Sequence, residues 1–206
     1  MTEVTTPGVS RGKFLSNAAK GSFVLATSGG VLAAVSADAY ASSRPAVQSD
    51  LSVLQGAYIA ESLAVYIYSA IIKDFGVFSH PKLNNKDYFE AALKNEKDHK
   101  AFLASALGSK TPTGLKFKIP ASVTKSGQSL LNTGVALETA FVKAYLGAVE
   151  SFSTTDLKLI AAKVAADEAT HFSFFDAAAG GHGVLPSLPG TQSIKATEAQ
   201  LNPFLA

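Results

Sequence analysis

Four stretches of the chain place apolar residues at three- and four-residue steps, the period of an α-helix with one buried stripe. The first stripe runs Leu54, Tyr58, Glu61, Val65, Tyr68, Ile72; the second Phe89, Leu93, Glu96, His99, Leu103, Leu107. The third runs Leu131, Val135, Glu138, Val142, Tyr145, Val149, and the fourth Leu157, Ala161, Val164, Glu168, His171, Phe175. Each stripe is interrupted near its middle by a carboxylate. A charge carried into a core without a partner costs several kcal/mol or takes up a proton instead, so four of them at one level call for cations.

Boundary residues place the helices. Ser49 or Asp50 opens the first, and Gly76 with Pro81 closes it; Asn84 or Asn85 caps the second, which stops at Gly108. Pro120 and Ser122 precede the third, Ser153 or Thr154 caps the fourth, and Gly180-Gly181 ends it. These limits put all four glutamates at a similar depth. The expected fold class is therefore all-α, a four-helix bundle.

The polar interruptions have an order. Glu61 stands alone, Glu96-x-x-His99 follows, Glu138 stands alone, and Glu168-x-x-His171 completes the set. One Glu-x-x-His is weak evidence, since the spacing arises by chance on solvated helix faces. Two, alternating with two isolated glutamates over four helices, form the set with which a bundle holds two metal ions. Iron is the first expectation and manganese the alternative, because Glu/His donor sets accept both.

Linker lengths predict the topology. Helices one and two, and three and four, have short connections suited to antiparallel neighbours. Between the second and third lies GSKTPTGLKFKIPAS. Extended at roughly 3.3 Å per residue it covers about 45–50 Å, more than the ~35 Å of a 23-residue helix. It is long enough to cross the bundle from end to end. The halves also read as repeats: aligning Glu61 with Glu138 superposes Leu54 on Leu131, Val65 on Val142 and Tyr68 on Tyr145, and aligning the Glu-x-x-His pairs puts Phe102 on Phe174 and Ala106 on Ala178.

These residues identify the chain as similar to the ferritin-like superfamily of di-iron and di-manganese carboxylate proteins, over residues 49–181. Within it the chain most resembles the exported ferritin-like domain family that includes the desiccation-related proteins. The resemblance implies a long crossover between helices 2 and 3, Glu61 and Glu138 as terminal ligands, Glu96 and Glu168 as bridges, and one ion each on His99 and His171. It also suggests that Asp167 orients His99, with Asn95 in the matching place for His171. Tyr58, one turn from Glu61, is a further candidate neighbour of the metals. Tyr68 and Tyr145, on the same stripes, read as core packing.

Composition narrows the class. With 206 residues, 47% of them hydrophobic, there is material for one bundle and its extensions. The chain has no cysteine, which excludes rubredoxin-type iron centres and disulfides, and its single methionine is the first residue, which excludes a haem held by methionine pairs. A formal charge of +2 without a basic stripe argues against nucleic acid as partner.

The chain ends are expected to lie outside the bundle. In residues 1–41, Arg11, Lys13 and Lys20 precede an apolar, small-residue run from Ser22 to Val35, and Ala39-Tyr40-Ala41 supplies a cleavage pattern. This reads as an export signal leading to a periplasmic or extracellular protein; Ser10 to Leu15 resembles the twin-arginine motif, with Gly12 in place of the second arginine. The bundle is expected over 42–182 with no stable membrane span in the mature chain. The tail, 183–206, with Pro186, Pro189 and Pro203, reads as irregular, wrapping a surface or joining copies in a homo-oligomer.

Three functional classes follow. The leading expectation is a di-metal oxidoreductase acting on O2 or peroxide in stress defence, as a ferroxidase, peroxidase or catalase-like protein. The alternatives are a desiccation-associated structural protein with little turnover, and iron storage.

Overall fold

The computed structural model describes residues 48–74 and 85–206, and the leading segment to Ala41, Gly76, His80 and Pro81 lie outside them. The four stripes are four helices: α1 (Gln48–Asp74), α2 (Asn85–Leu107), α3 (Gly127–Ser151) and α4 (Thr155–Ala179). α1 packs along α2 and α3 along α4. The described residues contain no strand, only a single antiparallel bridge between Phe117 and Leu205. None of their helices is long and apolar enough to cross a membrane.

Two apolar clusters fill the bundle, and they fix its direction of travel. On α2, Phe89 and Ala92 belong to one cluster and Leu103 and Leu107 to the other; Glu96 and His99 lie between. α4 runs the opposite way, with Leu157 to Ala165 in the second cluster and Phe175 and Ala178 in the first, on either side of Glu168 and His171. α1 starts in the second cluster at Leu54, and α3 starts in the first at Leu130. Since α2 ends where α4 begins and α3 starts at the far end, the segment from Gly108 to Ser126 crosses the whole bundle. This is the all-α ferritin-like bundle with its long crossover between helices 2 and 3.

Caps explain most of the boundaries. Thr154 accepts a side-chain bond from Leu157 N at the start of α4, and Gly180 ends that helix in the left-handed conformation with φ 102°. Ser153 has another task. Its backbone N–H and hydroxyl both donate to the carboxylate of Asp50, at 3.0 and 2.5 Å, tying this fully buried residue in the first turn of α1 to the α3–α4 corner. α3 begins later than Pro120 and Ser122 suggest: residues 121–125 form a turn of their own, and Ser126 caps the helix by accepting from Ser129 N at 3.0 Å.

The tail corrects the expectation of an irregular segment. Residues Ile194–Leu201 form a short helix, α5, capped by Ser193, and the prolines flank it instead of interrupting it. α5 rests on α1 and α3. The approach is close enough to require glycine: a Cβ on Gly56 would meet Ile194 Cγ1 at 2.2 Å, and one on Gly147 would meet the Gln192 carbonyl oxygen at 2.1 Å. Beyond α5, Lys118 N donates to Phe204 O at 2.8 Å and Ala206 N to Lys116 O at 3.0 Å. The tail thus wraps the bundle surface and pins the crossover.

Candidate metal centre

Glu61, Glu96, His99, Glu138, Glu168 and His171 meet in the middle of the bundle, each at most 3% exposed. They form two overlapping groups. Glu61, Glu96, His99 and Glu168 bring one donor atom each to within 4.8 Å of one another, and so do Glu96, Glu138, Glu168 and His171. Glu96 and Glu168 are common to both. Each Glu-x-x-His faces inward because its two members lie one turn apart on one helix face.

Both imidazoles turn Nδ1 toward the carboxylates. His99 Nδ1 lies 3.2 Å from Glu168 Oε1, 3.6 Å from Glu61 Oε2 and 3.7 Å from Glu96 Oε2. His171 Nδ1 lies 2.9 Å from Glu96 Oε1, 3.1 Å from Glu168 Oε2 and 4.0 Å from Glu138 Oε2. Despite this crowding, Glu61 Oε2, both oxygens of Glu96, Glu138 Oε2, Glu168 Oε1 and His99 Nδ1 are buried without a hydrogen bond. Buried polar atoms are seldom left so. Lone pairs converging on common points, not on one another, give this pattern, and it fits cations as the missing partners. Four carboxylates also balance the charge of two divalent ions, and an oxygen-rich set with two imidazoles suits iron or manganese.

Without metal, protons take up part of that role. Burial, together with the charges of Glu168 and Glu96, pushes Glu61 well above the usual carboxylate range; burial and Glu168 do the same to Glu138. Burial would also raise Glu168, but the hydrogen bond with His171 and the nearby charges of His171 and His99 outweigh it and hold that carboxyl well below the usual range. Burial works against a charged imidazole. It is overcome at His99 by the charge of Glu61 and by Asp167 and Glu168, and at His171 by Glu168 and Glu96, so both histidines are raised well above their ordinary value.

The outer partners are only partly those expected. Asp167 Oδ2 lies 3.3 Å from His99 Nε2 and 3.8 Å from His171 Nε2, so one half-buried carboxylate faces both imidazoles. The Asn95 amide donates to Asp167 Oδ1 at 3.3 Å, supporting that carboxylate instead of reaching His171. Tyr58 lines a groove of about 550 Å³ under the crossover, its ring 5.5 Å from Lys100 Nζ. The tyrosines that do touch the centre are two that the stripes assigned to packing. Tyr68 Oη donates to Glu138 Oε1 at 2.7 Å, and Tyr145 Oη donates to Glu61 Oε1.

Those two bonds are exchanged between the halves, and each leaves the glutamate a single free oxygen, Oε2, to offer inward. Burial raises both phenols, so they stay protonated donors. Tyr68→Phe and Tyr145→Phe each remove one such bond at little change in volume. Each is expected to weaken Mn(II) binding by about 10- to 100-fold, the usual cost of losing an outer partner. A calorimetric titration that found unchanged affinity in both variants would show that the hydroxyls do not hold the carboxylates.

A helical bundle with two buried carboxylate–histidine groups sharing two glutamates defines the ferritin-like class. The chain belongs to that family: the model of the ferritin-like domain matches residues 49–181. Among curated proteins, none matches the chain.

Proposed function

We propose that this chain is an exported di-metal protein that carries out redox chemistry on O2 or peroxide in stress defence, in the manner expected of the exported, desiccation-related branch of the family. The observation that carries the reading is the pair of buried donor groups sharing Glu96 and Glu168. Glu61 and His99 complete one position, and Glu138 and His171 the other. Two adjacent iron or manganese ions supply two-electron chemistry toward oxygen or peroxide. The chain's own residues hold them: the shared carboxylates keep the positions together, Asp167 turns both imidazoles, and the tyrosines fix the terminal glutamates. Export is supported by the basic start, the apolar run and Ala39-Tyr40-Ala41.

The test is metal analysis of protein purified from its native compartment, with its N-terminal sequence read from the same sample. Two iron or manganese ions per chain and a start at Ser42 are expected, together with consumption of O2 or peroxide by the loaded protein. A metal-loaded protein inert toward both oxidants would favour the structural alternative, and a preparation unable to take up either metal would reject the site.

A further inference from the structure

The first half of the crossover is fastened to the bundle at both of its ends. At one end Gln55 Nε2 of α1 donates to Lys110 O at 2.9 Å, and the Thr111 hydroxyl donates to Ala104 O of α2 at 3.2 Å. At the other, the tail's backbone bonds at Lys116 and Lys118 hold Phe117 between them. Between these fastenings the chain turns at Gly114, with φ 70°, and leaves the groove of about 550 Å³ that Tyr58 lines. That volume is in the range of small-molecule sites. Its walls are aromatic with a cation at one place. Tyr66, 39% exposed, lies with its ring centroid 5.9 Å from that of Phe117, and Lys100 Nζ stands 5.5 Å from the centroid of Tyr58. Of the described residues that line the groove, Lys100 alone is charged, and no carboxylate pairs with it among the described residues.

We propose that this groove binds a small aromatic carboxylate, its ring against Tyr58, Tyr66 and Phe117 and its carboxylate on Lys100 Nζ. The walls make the selection. Exposed aromatic faces gain from a further ring stacked or edged against them, and an ammonium without a carboxylate partner is a ready donor to an anion. The surrounding field has the same sign: between Asp98 and Glu138 the chain carries Lys100, Lys110, Lys116, Lys118 and Lys125 and no acidic residue. A cation or a polyol is poorly served. No carboxylate, amide or imidazole is among the described residues that line the groove, and Ser62 and Ser69 spend their hydroxyl protons on Tyr58 O and Val65 O at 2.7 and 2.6 Å. Because the crossover is fastened before any ligand arrives, little ordering cost is left to binding. The groove is separate from the donor cluster, so the proposal stands or falls without the metals.

Calorimetric titration of the full chain with 2-naphthoate, 2-naphthamide and glucuronate separates the parts of this recognition. One naphthoate per chain is expected, with the uncharged amide of the same shape about 10-fold weaker. Lys100→Gln should weaken naphthoate by about the same factor and leave the amide unchanged. Equal binding of acid and amide, or a Lys100→Gln protein with unaltered naphthoate affinity, would overturn the assignment of Lys100. Glucuronate is an anion without an aromatic face and is expected to bind more weakly than naphthoate; binding as tight or tighter would overturn the aromatic class. In amide NMR spectra the naphthoate-induced shifts should centre on Tyr58, Tyr66 and residues 113–117, and shifts centred elsewhere would overturn the location. Ser69→Trp, which fills the groove from an exposed position, is expected to abolish binding while the helical circular-dichroism melt is kept; a folded Ser69→Trp protein that still binds naphthoate would overturn the groove.

Discussion

Glu168→Ala is expected to lose both metal ions at once, whereas Glu61→Ala and Glu138→Ala lose one each. The difference follows from membership: Glu168 and Glu96 belong to both donor groups, while Glu61 serves only the His99 group and Glu138 only the His171 group. Glu168 has a further part in the metal-free protein. Its charge supports both imidazolium ions, with His171 Nδ1 at 3.1 Å and His99 Nδ1 at 3.2 Å. Removing it leaves two buried cations short of their counter-charge, which is the costly way to break a buried ionic group.

The affinity loss at each position should therefore exceed the roughly 10- to 100-fold produced by deleting an outer partner. Mn(II) titration followed by metal analysis of the gel-filtered protein should read near two ions for the wild type, one for the single-group variants and none for Glu168→Ala. Glu168→Gln keeps the volume and separates loss of charge from loss of packing. A Glu168→Ala protein that folds and still holds one ion would mean that the positions do not share this carboxylate.

The candidate donor set was legible because helix periodicity puts Glu61, Glu96, His99, Glu138, Glu168 and His171 on apolar stripes and the helix boundaries put the four glutamates at a similar depth, neither of which needs tertiary information. The crossover was legible for a similar reason, since its reach can be compared with a helix length. What escaped was set by contacts between halves. Tyr68 and Tyr145 sit two turns beyond Glu61 and Glu138, but each hydroxyl serves the glutamate of the other half. Spacing within one helix cannot announce such an exchange, although the matched positions of the two tyrosines in the internal repeat were a signal. Tyr58 lies nearer to Glu61 in sequence, but the helix turns it toward the Lys100 groove.

The remaining differences are local competitions. Ser122 and Ser126 both offer a cap before α3, and the turn made by Val123 N on Pro120 O at 2.9 Å leaves Ser126 as the one that starts the helix. α5 was hidden by prolines on both sides and by its eight-residue length. A helix that short is marginal by propensity; its stability comes from docking on α1 and α3, where Gly56 admits the helix and Gly147 admits Gln192 in the segment that leads into it.

Metal loading should raise the melting temperature far more at pH 8 than at pH 6, and the sign follows from the protons that stand in for metal. Below the ordinary carboxylate value of 4.5, Glu61 and Glu138 are protonated in both folded and unfolded chains. As pH rises above it, the unfolded chain sheds those protons while the fold, with raised values, keeps them, so stability of the metal-free protein falls. His99 and His171 act in the same direction. Their contribution is fully present below about 6.5 and is lost as pH climbs through their raised folded values. Glu168 is the opposite case, its contribution being lost only as pH drops below the usual carboxylate range. Each full proton of difference is worth about 1.4 kcal/mol per pH unit, so the metal-free fold weakens steadily from about pH 5 upward. Bound metal reverses the trend, because it requires the deprotonated ligands and its affinity grows as protons are easier to displace. Thermal melts with and without Mn(II) across that range, with calorimetry in buffers of different ionisation enthalpy, should show a widening gap and proton release on binding. A gap that stays constant or narrows toward pH 8 would mean that these four groups do not surrender their protons to metal.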